Sequence, residues 1–164
     1  MNDGIFDPTQ METDFNLDDE YKPDPLAPAG TYFGNTTNAS FNAEQNCLVF
    51  EIVAQGNGPV LMSDGETELD GNTFYARVWM PKRGDENEMT KSGRSTKRQA
   101  KINMMKQFAD RLEIDMNTKE EIAQGLTEGL WIGIPVIFKL SISEYEGRTR
   151  NDVDSVQRNP NPPE

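Results

Sequence analysis

The sequence predicts a mainly β domain: a small barrel of five strands with one long helix between the third and fourth, behind an acidic, disordered amino-terminal arm. Three observations carry that expectation. Several segments alternate apolar and polar residues with a period of two, one intervening segment has a helical period, and the composition changes sharply near residue 28. Residues 1–28 are rich in Asp, Glu, Pro and Asn, with too few clustered apolar side chains to offset the entropy of ordering. Residues 159–164 (NPNPPE) read as a short tail, because their prolines join neither a ladder nor a helix interior. Residues 29–158 remain as the barrel domain, long enough for one core.

Within that domain Gly30–Phe41 reads as a first strand, and Cys47–Ala54 as a second with Leu48, Phe50, Ile52 and Ala54 on one face. Gln55–Gly71, rich in glycine and acid, reads as a long loop or a loop enclosing a small hairpin. Asn72–Met80 is the third strand, with Phe74, Ala76, Val78 and Met80 on one face and Tyr75, Arg77 and Trp79 on the other. From Ser95 onward Ala100, Met104, Phe108 and Leu112 recur every four residues, widened by Ile102, Met105 and Ala109. Thr118 and Glu121 predict a capping box for a second, short helix ending at Gln124, before Gly125. Trp131–Tyr145 is the fourth strand, with Ile132, Ile134, Val136, Phe138, Leu140 and Ile142 sharing a face and Pro135 implying an edge or a bulge. Glu146 and Gly147 turn the chain into a fifth strand, Arg148–Gln157, where Val153 and Val156 require a bulge to share a face. Five strands with a helix after the third is the arrangement of the OB barrel, and a split α+β sandwich gives a similar string.

Composition narrows the function. The 164 residues contain no histidine and one cysteine, Cys47. That removes the commonest general base and metal ligand, any internal disulfide and any cysteine-based zinc site. No catalysis, cofactor or metal is expected. No apolar run approaches the roughly 20 residues that span a bilayer, and no secretory signal is visible, so a cytoplasmic location is expected. The acidic stretch Asp64–Gly71 lacks the glycine and the bidentate glutamate of a calcium-binding EF-hand loop and reads as a solvated loop.

The net charge of −12 conceals an asymmetry. Residues 1–25 hold eight acids and one lysine, whereas residues 82–106 hold eight basic and three acidic residues. An acidic arm is thus joined to a domain with a basic segment, and the distribution matters more than the sum. Tyr75, Arg77 and Trp79 set two aromatic rings around a guanidinium on the non-core face of a strand. Bases stack on such rings at about 1–3 kcal/mol each. Lys82, Arg83, Lys91, Arg94, Lys97, Arg98 and Lys101 follow directly as candidate phosphate contacts, with Tyr145, Arg148 and Arg150 as outlying candidates. The plain structural alternatives are aromatics that pack under a loop and a solvated helix face.

Gly129–Leu140, Glu144–Arg148 and Asn151–Val153, with the opening Pro28–Tyr32 and the strand Leu48–Ile52, resemble small OB-fold single-stranded DNA-binding proteins of phage replication and recombination modules. The resemblance implies a non-enzymatic protein that coats single-stranded DNA during DNA replication or recombination in the cytoplasm of a bacteriophage-infected host. One departure is clear: such proteins usually carry their acidic tail at the carboxyl end, whereas here the acid lies at the amino end. That arm is expected either to dock phage or host replication proteins or to occupy the DNA-binding surface as a competitor. The alternatives to DNA binding are a protein-binding or virion-associated β-barrel and an accessory subunit of a phage nuclease or recombinase.

Overall fold

Alternation drives one face of each strand out of water, and the computed structural model, which describes residues 4–163, is organised by it. Five strands, β1 (Gly30–Asn42), β2 (Cys47–Ala54), β3 (Thr73–Trp79), β4 (Pro135–Tyr145) and β5 (Arg148–Arg158), form one antiparallel sheet ordered β3-β2-β1-β4-β5. Among the described residues three α-helices, α1 (Leu17–Glu20), α2 (Lys97–Leu112) and α3 (Lys119–Thr127), lie in the arm and between β3 and β4.

β1 holds the sheet together because it serves two partners. Its first half pairs with β4 and its second with β2, with an irregularity between Thr36 and Asn38 where it passes from one to the other. Gly34 occupies the crossing point, where a Cβ would press on the Val53 carbonyl oxygen and the Phe138 ring. The buried Thr36 closes the bend: its hydroxyl accepts from the Ile134 N–H at 2.9 Å, and its own N–H donates to the Ile134 carbonyl at 2.9 Å.

The five strands expected as a barrel form an open sheet. Its edges β3 and β5, separated by four antiparallel steps, run in the same direction along a seam, and no backbone ladder joins them among the described residues. α2 contacts both edges and covers the seam. Its Phe108 ring packs 4.9 Å from Phe50, which in turn stacks on Trp131 at 5.6 Å. Apolar surface at the seam is therefore buried by a helix rather than by closure. Arg158, at the end of β5, donates from Nε to the Leu112 carbonyl at 3.0 Å and from Nη2 to the Glu113 carbonyl at 3.3 Å. Those bonds satisfy carbonyls left open at the end of α2.

β1, β2, β3 and β5 lie within a residue of their expected limits. β4 begins four residues later than expected, at Pro135. Before it, residues 131–133 turn out of α3, so that Trp131 is buried while Ile132 is exposed. Ile142 is exposed as well, because β4 runs beyond Leu140 as a hairpin past the core. Pro135 opens a strand flanked on both sides, where its missing N–H falls at the end of the ladder opposite Asn35. The bulge expected in β5 is present: Lys139 faces Ser155 and Leu140 faces Val153, leaving Asp154 as the extra residue. Glu146 and Gly147 both have positive φ, +51° and +75°, as a two-residue hairpin turn of the primed type requires.

The helices depart further. α2 is capped by Thr96, whose hydroxyl accepts from the Gln99 N–H, but its core stripe is Met105, Phe108, Ala109 and Leu112, with Met104 exposed. α3 starts at the expected Thr118 cap yet continues through Gly125 to Thr127. The glycine is tolerated because the Trp131 indole lies directly on it, leaving no room for a Cβ.

Residues 4–24 are exposed throughout, and their hydrogen bonds are local. Contact with the domain begins before residue 29. The Leu26 N–H donates to Ser63 Oγ at 2.8 Å, and the fully buried Ala27 exchanges two hydrogen bonds with the Asn151 side chain. At the other end Asn159 is buried, its N–H donating to the Pro135 carbonyl. Among the described residues no helix is long and apolar enough to cross a membrane.

Candidate nucleic-acid interface

The outer face of β3 carries Tyr75, Arg77 and Trp79, all exposed, while Phe74, Ala76 and Val78 are buried beneath them. Strict alternation on a strand places the three side chains in a row, about 6.8 Å from one to the next. β2 flanks the row, with Glu51 opposite Tyr75, Val49 opposite Arg77 and Cys47 opposite Trp79. Cys47 is fully buried, and burial raises its thiol pKa above the ordinary value, against a smaller lowering by the Arg77 charge. Of the two tryptophans, Trp79 is 42 % exposed and Trp131 only 2 %, so just one is open to a ligand.

On its other side the row borders the seam. A cleft of about 130 Å³ is lined by residues 76–79 of β3, by Met104, Gln107, Phe108 and Arg111 of α2, and by residues 153–156 of β5. Arg77 and Arg111 line this cleft beside Trp79, and Asp154 is the one lining carboxylate among the described residues, accepting from Ser141 Oγ at 2.9 Å. Arg111 lay outside the basic run singled out in the sequence. Its signal was available, since Met104, Gln107 and Arg111 recur at helical spacing on one face of α2.

The other sequence candidates divide into three groups. Tyr145, Arg148 and Arg150 sit on the exposed β4–β5 hairpin, where Arg150 lies over the Tyr145 ring at 5.4 Å and pairs with Asp152 at 3.1 Å. This hairpin extends past the Tyr75 end of the seam, where Tyr75 and Asn151 line a shared pocket. Lys82 and Arg83 leave the Trp79 end, and Lys91 and Arg94 stand exposed on a small hairpin closed by the Met89–Thr96 bridge. Topology thus sets the hairpin arginines of β5, the aromatic row of β3 and the start of the basic loop in sequence along the seam.

The third group is already paired with carboxylates. Lys101 binds the Asp85 carboxylate at 2.7 Å, and the same Oδ2 accepts from the Lys82 N–H at 2.9 Å. Asp85 is 2 % exposed. The Lys101 ammonium, first, and the Lys82 N–H hold its pKa below the usual carboxylate value. Lys97 pairs with Glu88 at 2.6 Å; this hydrogen bond raises the lysine and lowers the glutamate. Both lysines pin the β3–α2 loop to the helix. Arg98 faces elsewhere, into a groove between α2 and α3.

The acidic loop carboxylates serve as turn acceptors. Asp64 takes the Glu66 and Thr67 N–H groups and the Thr67 hydroxyl, and Asp70 takes the Gly56 and Asn57 N–H groups.

Comparison with known proteins adds no family to this description. No protein-family model matches the sequence, and a search of curated proteins finds no significant match.

Proposed function

We propose that this chain is a sequence-tolerant single-stranded DNA-binding protein of an OB-like type, acting in phage DNA replication or recombination, with no catalytic role. The observation that carries the proposal is the exposed row Tyr75–Arg77–Trp79, bordered by a cleft that adds Arg111. Aromatic faces take bases of any identity, and guanidiniums take phosphate or stack in turn. The strand order β3-β2-β1-β4-β5, with the helices between β3 and β4 and the two edges facing each other, supports an OB-like reading of the sheet. Along this seam Arg148 and Arg150 serve as contacts at one end and Lys82, Arg83, Lys91 and Arg94 at the other. Lys97 and Lys101 support the loop rather than the ligand.

Fluorescence titration with labelled oligonucleotides tests this. Single strands bind more tightly than duplex and quench tryptophan emission, and the quench disappears in Trp79→Phe because Trp131 is buried. Trp79→Ala weakens binding by about 1–3 kcal/mol, roughly 5- to 150-fold. Equal affinity for duplex and single strand, or none at low salt, refutes the proposal.

A further inference from the structure

The arm and the α2–α3 groove are complementary, although neither belongs to the surface described above. The groove has a volume of about 340 Å³ and a floor of Met80, Ile102, Met105, Met116 and Ile122. Methionine-rich floors adapt to varied apolar partners. Its rim is basic, with Arg98, Lys106 and Lys119. Lys106 shares its charge with Asp110 at 2.9 Å, whereas Arg98 and Lys119 make no ion pair among the described residues.

The arm offers the opposite pattern. α1 is a single preorganised turn: Asn16 Oδ1 accepts from the Asp18 and Asp19 N–H groups, and Glu20 Oε2 accepts from the Asn16 N–H at 2.6 Å. Leu17 and Tyr21 fall four residues apart on one side of it, with Phe15 just before, and Asp18, Asp19 and Glu20 fill the rest. All three apolar side chains are exposed, Leu17 at 72 %, with no core beneath them. A capped turn with acids around three apolar anchors fits an apolar groove with a basic rim.

We infer that the groove receives residues 15–21 of a second copy of this chain. The molecule's own turn is poorly placed to enter. Its arm is tied to the domain by Leu26 on Ser63 and Ala27 on Asn151, and Pro25 shares a pocket with residues 72–75 and Arg77, whereas the groove opens at Met80, past the end of β3. The four residues from Tyr21 to Pro25, about 14 Å at full extension, must cover that span. An arm arriving from another molecule has no such limit. Each chain offers one arm and one groove, so association proceeds by reciprocal exchange between two copies or head to tail through more. It does not depend on DNA.

Sedimentation velocity on the full chain without nucleic acid tests the inference. The weight-average mass rises with concentration above that of one copy. Phe15→Ser/Leu17→Ser in the arm and Arg98→Glu/Lys119→Glu in the groove each weaken association by at least about tenfold while thermal melting stays unchanged, since all four side chains are exposed or at the rim. An equimolar mixture of the two variants is the decisive sample. One retains a groove and the other an arm, so they form a 1:1 pair and nothing larger. Native-like association of either variant, a mixture that stays monomeric, or a monomeric native chain, including one whose arm is protected within its own molecule, overturns the inference.

Discussion

The basic residues near the aromatic row divide into those available to phosphate and those already paired, and one experiment separates them. Arg77→Gln/Arg111→Gln removes the two guanidiniums that line the cleft beside Trp79. Lys97→Gln/Lys101→Gln removes two ammoniums held at 2.6 and 2.7 Å by Glu88 and Asp85. Both variants lose two positive charges, so their effects on the overall field match. On single strands each phosphate contact contributes about −0.7 to the slope of log affinity against log salt. Losing both arginine contacts flattens the slope by about 1.4, so over a fivefold rise in salt the native chain loses about tenfold more affinity than the variant. The lysine variant keeps the native slope but melts at lower temperature, because Asp85 is left buried without its counter-charge. Fluorescence titration across a salt series, with a thermal melt of each variant, reads both effects. Equal slopes for the native chain and the arginine variant, or a flattened slope for the lysine variant, refute the assignment.

Three further outcomes are expected. Gly125→Ala lowers the melting temperature: the usual helical gain of up to about 1 kcal/mol is outweighed by about 1–3 kcal/mol of overpacking against the Trp131 indole, and a higher melting temperature refutes the packing argument. Thr36→Val leaves the Ile134 N–H without its hydroxyl acceptor and costs about 1–3 kcal/mol in chemical denaturation; an unchanged midpoint shows that the clip is dispensable. Asp85 has a lower pKa folded than unfolded, so its contribution to stability is complete above about pH 4 and is lost as pH falls through the folded value. Asp85→Asn therefore shrinks the acid-side fall of melting temperature with pH, without abolishing it because Asp64 is lowered too; an unaltered acid limb contradicts this.

Local pattern was enough for much of the fold. β2 matches its expected limits because alternation writes burial directly into the chain, and the Thr118 cap was legible because capping is a contact between near neighbours. The outward row Tyr75–Arg77–Trp79 was legible for the same reason. What escaped depended on residues far apart in sequence. Ile132 keeps the period of the strand after it yet is exposed, because Trp131 takes the core position against Phe50 and Gly125. Gly125 looked like a stop and is a packing site.

The candidate site shows the same division. Residue type and order alone determined that this chain joins an acidic arm to a basic segment and sets aromatics around an arginine on one strand face. Tertiary structure decided which charges are available. Glu88 and Asp85 are nine and sixteen residues from the lysines they hold in place, a loop's return that no period encodes. It also decided that β3 and β5 meet as an open seam under α2, which brings Arg111 to Trp79 and leaves Arg98 to a different groove. Strand faces follow from geometry two residues apart; clefts follow from where whole elements come to rest, and burial of the core sets that.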